Sequence, residues 1–321
     1  MVSTRVEKNK LQRKNIAKEE HIENTKEVSK KLFKVFLILF IIFGSIYVIC
    51  RYIGTSGLIV KEYSLEYDNL PDSFYGLKII QISDVNYNKK TMNMKKVERM
   101  IDKVNSIRPD IIIFTGNLIY GDATLEELTS LEELFNNLDA SLGKYAVFGD
   151  DNDQAKIIMK NSGFIDLENT YDLIYKDEYK PILITGINSD YPDYDEMFSY
   201  FDSENANNDI FTISIMHKPD SIDGILDYHP VDLAMAGYSL NGLIQLPKVG
   251  GLFLKDGCRN YYDSYYKINE TDFYISSGLG TRELPYRLFN HPSINLYRIK
   301  WHICVIFYLY SYIKIRRNLY V

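Results

Sequence analysis

Four apolar runs each end on a residue that could do chemistry. LKIIQIS (77–83) delivers Asp84, with Asn86 two positions on, and DIIIFTG (110–116) leads to Asn117. KYAVFG (144–149) runs into Asp150, Asp151, Asn152 and Asp153, and the apolar part of DIFTISIMHKPD (209–220) closes on His217. Carboxylates gathered this way can hold a hard cation such as Mg²⁺ or Ca²⁺, and an imidazole adds a neutral nitrogen donor. Each residue also has a plain structural use. Asp84 can cap the turn or helix that follows it. Asp150, Asp151 and Asp153 can cap a helix starting near Gln154, and His217 can be a hydrogen-bonded core histidine. An Asp-x-His spacing would mark QISDVNYN as the start of a metal site, but Asn86 stands at the histidine position.

The elements that position these residues alternate. LKIIQIS is followed by MNMKKVERMIDKVNSI (92–107), where Met94, Val97, Met100, Ile101 and Val104 fall at helical spacing, and then by DIIIFTG. Strand, helix, strand reads as a right-handed crossover onto a parallel sheet. LEELTSLEELFNNL (125–138) reads as a second helix before KYAVFG. Functional residues in such sheets gather beyond the carboxyl ends of strands. The second half turns toward β, with runs at 180–187, 209–220, 231–242, 251–254 (GLFL), 272–278 and 293–299. Two half-sheets packed face to face and flanked by helices satisfy this order.

A chain of 321 residues, 46% of them hydrophobic, has ample material for a core. Its charge is segregated. Residues 1–34 carry ten Lys/Arg against five Asp/Glu, and residues 298–321 carry five against none, which leaves 22 basic and 38 acidic residues between. So acidic a body excludes general nucleic-acid binding. Cys50, Cys258 and Cys304 have no CxxC spacing, so neither a zinc-cysteine site nor a disulfide framework is implied. His21, His229, His291 and His302 have no nucleophile signature beside them, and neither GTSG (54–57) nor GLGTRELP has phosphate-loop spacing. The 27 tyrosines read as compositional bias rather than as a carbohydrate or lipid surface.

VFLILFIIFGSIYVIC (35–50) is uncharged, and with snorkelling Lys34 and Arg51 it extends to 32–53, long enough for one membrane span. The long charged stretch before it and the lack of an A-x-A-like site favour an uncleaved anchor over a signal peptide. Lys26, Lys30, Lys31 and Lys34 crowd its N-terminal flank, so the N-terminus is expected in the cytoplasm and the body outside. Residues 1–31 read as a solvated helix or a disordered topogenic tail, and 54–75 as linker and first strand. The apolar, basic extension 301–321 reads as an extra strand or an interfacial segment.

Taken in order, LKIIQISD, IRPDIIIFTGNLI, GKYAVFGDDND, ISIMHKPD, VDLAMAGYSLNGLIQLP and YISSGLGTRELPYRLFNHPSINL resemble the calcineurin-like metallophosphoesterases, membrane-associated bacterial group, over about residues 76–300. The resemblance implies an α/β fold, a four-layer α/β/β/α sandwich preceded here by one N-terminal transmembrane helix. It also implies two divalent metals held by Asp-x-His, Gly-Asp, Gly-Asn-His-Asp/Glu, a lone His and Gly-His-x-His. Two such cations, about 3.5–4 Å apart, need a bridging carboxylate and together activate water at a phosphoryl group.

Carried over residue by residue, Asp84 and His217 keep the family's ligand identity and Asp150 replaces an Asn. Asp151 replaces the proton-donating His. Asn86, Asn117, Tyr238 and Leu240 stand where a His, the bridging Asp and two further His are expected. Residual metal positions are therefore Asp84, Asp150 and His217, and no tightly bound cofactor is expected. The expectation is a membrane-anchored, catalytically silent binding or regulatory protein whose ligand is an envelope lipid or protein. The alternative is a metal-dependent phosphohydrolase on membrane-lipid or nucleotide phosphoesters. Its rebuilt site would draw on Asp84, Asp150, His217 and Asp151 or Asp153, with one or two of Mn, Mg, Zn or Fe.

Overall fold

The computed structural model describes residues 2–150, 153–176, 180–204 and 206–301. It divides into two units, Met1–Cys50 and Arg51–Val321.

The first unit is α1 (Val2–Val48), which carries the charged tail and the apolar run in one helix. The choice between helix and disorder for the tail therefore resolves as helix. Leu32, Phe33, Phe36, Phe40 and Phe43 are all exposed. This is the one helix among the described residues long and apolar enough, by length and composition, to cross a membrane.

The second unit begins with β1 (Ile59–Tyr67) and β2 (Leu77–Ile82), then α2 (Met94–Ile107), β3 (Ile111–Thr115), α3 (Leu125–Asn136), β4 (Gly143–Val147), α4 (Asp153–Asn161) and β5 (Ile165–Asp166). It continues with β6 (Thr170–Ile174), β7 (Ile182–Ile187), α5 (Tyr194–Met197), β8 (Thr212–Met216), α6 (Ile222–Tyr228) and β9 (Leu233–Ala236). A small hairpin, β10 (Gln245–Leu246) with β11 (Gly250–Gly251), precedes β12 (Tyr265–Ile268), β13 (Thr271–Ile275) and β14 (Ser293–Trp301). One six-stranded sheet has the order β1-β14-β2-β3-β4-β5 and the other β12-β13-β9-β8-β7-β6. Strands β2 to β5 are parallel, as are β7, β8, β9 and β13, whereas β6 and β12 pair antiparallel at the edges of the second sheet.

Alternation along each strand builds the core. In β3, Ile111 and Ile113 join Ile79, Tyr145 and Val147 against Ile182, Ile184, Ile213, Ile215 and Leu233 of the other sheet. Ile112 and Phe114 turn the other way, onto Met100, Val104, Leu131, Phe135 and Met159 of α2, α3 and α4. The second sheet's outer face, with Ile187, Met216, Ala234 and Ala236, packs on Met197, Ile222 and Ile225 of α5 and α6. Fully burying an aliphatic side chain of this size contributes about 1.5–3 kcal/mol.

Helix ends follow local chemistry. Asn93 caps α2 by accepting from the Lys96 N–H, and Arg108 closes that helix with φ 54°. Thr124 and Glu127 form a reciprocal capping box on α3. The Thr124 backbone N–H and the Tyr87 hydroxyl hold the Glu127 carboxyl down at about 2.

Between the sheets lies a buried polar knot. Gln81 Nε2 donates to Ala236 O (2.8 Å) and Thr115 Oγ1 (3.1 Å). Its Oε1 accepts from the Tyr297 hydroxyl (2.8 Å) and Asn295 Nδ2 (3.1 Å). This knot fixes the ends of β2 and β3 against β9, where the candidate site residues emerge.

The strand expected for GLFL is corrected. Only Gly251 is in a strand, and Leu252, Phe253 and Leu254 form a loop. Gly242 and Gly251 meet so closely that a Cβ on Gly242 would lie 2.4 Å from Gly251 Cα, which pins the segment at a backbone crossing. The expectations for Asp151 and for 302–321 fall outside the described residues.

Candidate functional site

The carboxyl ends of β2, β3, β4, β8, β9 and β13 converge on one polar cluster. Asp84 follows β2 with its backbone N–H on Gly116 O (2.8 Å), and Asn86 N donates to Asn117 O (2.8 Å). Two of the expected positions are thus tied together by their main chains. Asp84 is fully buried. Its Oδ2 accepts from Ser83 Oγ (2.6 Å) and the Tyr238 N–H (2.8 Å), and its Oδ1 from Asn117 Nδ2 (3.3 Å). It therefore captures a backbone donor from beyond β9 rather than capping its own turn.

His217 is equally buried. Its Nδ1 lies 2.6 Å from Thr115 O, a group that only accepts, so Nδ1 carries the proton. Nε2 then accepts from Asn117 Nδ2 at 2.8 Å. Burial pushes the imidazole below its usual range, against the pull of Asp84, which agrees with the neutral form. The Nε2 lone pair that a metal would use is spent on an amide proton.

Gly116 and Gly149 wall the ring. A Cβ on Gly149, where φ is 63°, would lie 2.1 Å from His217 Cδ2, and one on Gly116 would lie 2.5 Å from Nδ1. Gly149→Ala combines a strained left-handed backbone with overpacking, and we expect a loss of about 3 kcal/mol in chemical denaturation. An unchanged midpoint would show that His217 is loosely held.

The sequence reading gave no role to two basic residues. Arg282 sits in the GLGTRELP loop after β13, and its Nη1 donates to Asp150 Oδ2 at 3.0 Å. Its Nη2 stands 4.0 Å from Asp84 Oδ1 without a hydrogen-bond partner. The guanidinium carbon lies 5.1 Å from the Tyr238 ring centroid. Lys218, next to His217, pairs with Asp190 and approaches Asp150 at 3.8 Å. Burial tends to raise the Asp150 carboxyl, but the charges of Arg282 and Lys218 oppose it and hold it below the usual range. The one available signal was position: two cations directly beside motif residues in an otherwise acidic body.

The remaining positions are brought near, with different outcomes. Tyr238 lies edge-on to His217 (5.1 Å between centroids), and burial and Asp150 push its hydroxyl up to about 12, so it stays a neutral phenol. Leu240 packs at Gly278, where an added Cβ would meet its Cδ2 at 2.5 Å, and faces an apolar cavity. Asn86 is buried with its Nδ2 unpartnered. Asp153 is the first residue of α4. Among the described residues no group of three or more His, Cys, Asp or Glu side chains is placed to hold a metal ion.

Two divalent cations call for anionic and imidazole donors with free lone pairs. Here the amide N–H groups of Asn117 face both Asp84 and His217, and a guanidinium already faces both carboxylates. These side chains do not fit a two-metal centre.

Two mixed sheets flanked by helices, with a polar cluster at their carboxyl ends reached by these motifs in this order, are consistent with a metallophosphoesterase fold. Several curated relatives named metallophosphoesterase support a place for the chain alongside the calcineurin-like family. The chain is 27% identical over 266 residues to the uncharacterised metallophosphoesterase YkuE of Bacillus subtilis, covering 80% of this chain and 91% of that one. It is 24% identical over 255 residues to a transmembrane protein with metallophosphoesterase domain of Danio rerio, covering 73% and 56%. Over 86 residues, 25% of each chain, it is 40% identical to the UDP-2,3-diacylglucosamine pyrophosphatase LpxG of Chlamydia trachomatis. No family model matches the chain.

Proposed function

We propose that this is a membrane-anchored, catalytically silent member of its family, a binding or regulatory protein that uses the old cleft without metal. One observation carries the reading: the Arg282 guanidinium lies between Asp84 and Asp150, supplying positive charge where the family places cations. Asn117 reinforces it, because an amide cannot bridge two metals as a carboxylate does. The three cores, one between the sheets and one on each outer face, favour the four-layer α/β/β/α arrangement. Residues 32–53 are the proposed anchor, with the N-terminus in the cytoplasm and the main domain outside. The proposed ligand is an envelope lipid or protein.

A second reading is supported by the LpxG likeness, since that relative is a pyrophosphatase. On it the chain would be a phosphohydrolase on membrane-lipid or nucleotide phosphoesters, with residual ligands Asp84, Asp150 and His217.

The discriminating experiment measures bound metal and turnover of a chromogenic phosphodiester and of a UDP-linked lipid. It uses the purified full chain supplied with Mn²⁺, Mg²⁺, Zn²⁺ or Fe²⁺. The silent reading expects no stoichiometric metal and no turnover above that of Asp84→Ala. Turnover that vanishes in both Asp84→Ala and His217→Ala would sink it.

A further inference from the structure

The chain enters β1 at the end of the sheet that carries the candidate site. β1 runs parallel to β14, with Ile59 opposite Ser293, and β14 runs antiparallel to β2, with Asn295 opposite Gln81. The start of β1 therefore lies at the carboxyl end of β2, the strand that delivers Asp84. Residues 54–58, which connect the proposed anchor to β1, reach no more than about 20 Å. Thr55 within them is buried, and its carbonyl accepts from Lys96 Nζ (3.0 Å).

Loops at the same end expose large apolar side chains. Val249 is 64% exposed, Leu252 and Phe253 46% each, Leu284 36% and Phe289 66%. They belong to the segments that follow β9 and β13, and backbone pairing holds those segments side by side. The Gln245 N–H donates to Leu288 O (3.0 Å), and the Leu252 N–H donates to Ile244 O (3.0 Å). Phe289 is held at φ 53°, an unfavourable backbone for a bulky residue, and its side chain is left largely exposed. Contiguous exposed apolar surface of this kind marks a contact with a protein or a membrane.

Charge favours the membrane. In an otherwise acidic body, Arg99 beside Thr55 and Lys248 in the hairpin turn are exposed cations with no ion pair among the described residues. Burial and the neighbouring cations Arg51 and Arg99 push the Lys96 ammonium below its usual range, so positive charge gathers at this corner. Apolar side chains interspersed with cations suit the boundary between lipid headgroups and acyl chains.

We propose that this end of the domain docks on the bilayer surface, with Val249, Leu252, Phe253, Leu284 and Phe289 seated in the headgroup region. The carboxyl ends of β2, β8, β9 and β13 then lie at the membrane surface. The inference extends the reading of a membrane-anchored protein and rests on residues 32–53 being that anchor. A bilayer is the partner that so short a tether keeps always within reach of this end.

The test reads depth by fluorescence in the full chain, reconstituted in phosphatidylcholine nanodiscs with or without bromine on the acyl chains close to the headgroup. The single tryptophan, Trp301, is replaced by Phe. One reporter is then introduced at a time: Phe253→Trp, Phe289→Trp, Tyr75→Trp at the opposite end of β2, or Phe40→Trp in the anchor. Bromine is expected to quench Phe253→Trp and Phe289→Trp about twofold and to leave Tyr75→Trp unchanged. In a chain that also carries Val249→Asp and Leu252→Asp, both at exposed positions, quenching at Phe289→Trp should disappear while that at Phe40→Trp remains.

Equal quenching at Phe253→Trp, Phe289→Trp and Tyr75→Trp, or none at the first two, would overturn the proposal. So would quenching at Phe289→Trp that survives both aspartates in a folded variant, since tethering alone would then explain it. Emission at positions 253 and 289 that is blue-shifted yet untouched by bromine would also overturn it, assigning the surface to a protein, a second copy of this chain included. The anchor is scored separately. Phe40→Trp without quenching defeats the anchor, whereas Phe40→Trp quenched with positions 253 and 289 unquenched defeats docking alone.

Discussion

Arg282→Ala should cost about 3 kcal/mol of stability, because it strands Asp84, a fully buried carboxylate, without its nearby cation. The Asp150 share is smaller, since that side chain is 40% exposed and solvent screens it. A second effect sets this apart from a simple packing loss. With the guanidinium gone, millimolar Mn²⁺ or Mg²⁺ should raise the melting temperature of the variant and leave that of the parent chain unchanged. Arg282→Lys should recover only part of the loss. A lysine is a point charge that cannot serve Asp150, approach Asp84 and stack over Tyr238 with one planar group. If Arg282→Ala unfolds at the parent denaturant concentration and ignores cations, the internal cation is not what holds the cleft.

The second large effect is metal uptake. Restoring Asn86→His, Asn117→Asp, Tyr238→His and Leu240→His should not by itself load the site, because Arg282 still occupies the charge position between Asp84 and Asp150. Adding Arg282→Ala to those four should bring about two metal ions per chain, read by elemental analysis of the purified protein. The key single step is Asn117→Asp, which replaces the amide that now donates to His217 Nε2. His217 Nδ1 keeps its hydrogen bond to Thr115 O, the kind of support that orients a ligating imidazole. A fivefold variant that melts cooperatively yet stays metal-free would refute the assignment of these positions.

Much of the scaffold was legible because it is written in local periodicity. Met94, Val97, Met100, Ile101 and Val104 fall on one face of α2 as their spacing predicts, with Val97 to Val104 buried in the core. The continuous apolar runs at β2, β3 and β8 are buried on both faces, as parallel strands covered by helices must be.

GLFL misled because composition cannot tell a buried strand from an apolar cavity wall. Only the close approach of Gly242 and Gly251 decides it. Some of the tyrosines have structural work. Tyr67 bonds Asp272, Tyr145 bonds Asp172, and the partly buried Tyr63 packs with Tyr274 and Tyr297, so these five join the core between the sheets.

At the site, the motif order located Asp84, Asn117 and His217, which the structure joins by hydrogen bonds through Asn117. The role of Arg282 was not legible. It depends on which distant loop closes over Asp84, and no local pattern records that.

Asp84, Asn86, Asn117, Tyr238 and Leu240 all sit with left-handed backbones, at φ 46°, 44°, 61°, 65° and 49°. Asn and Asp accept that conformation readily, whereas Tyr and Leu adopt it at a penalty of about 1–3 kcal/mol each. The main chain thus holds all five side chains in a conformation that only the fold around them can impose. In the genetic code, Asn and Tyr codons each lie one base from a His codon, as do two of the six Leu codons, and Asn lies one base from Asp. On the proposed reading, nothing in the backbone bars a return to metal chemistry. What bars it is order of events: with Arg282 in place each single reversion meets a cation and gains nothing, so the guanidinium acts as an evolutionary ratchet.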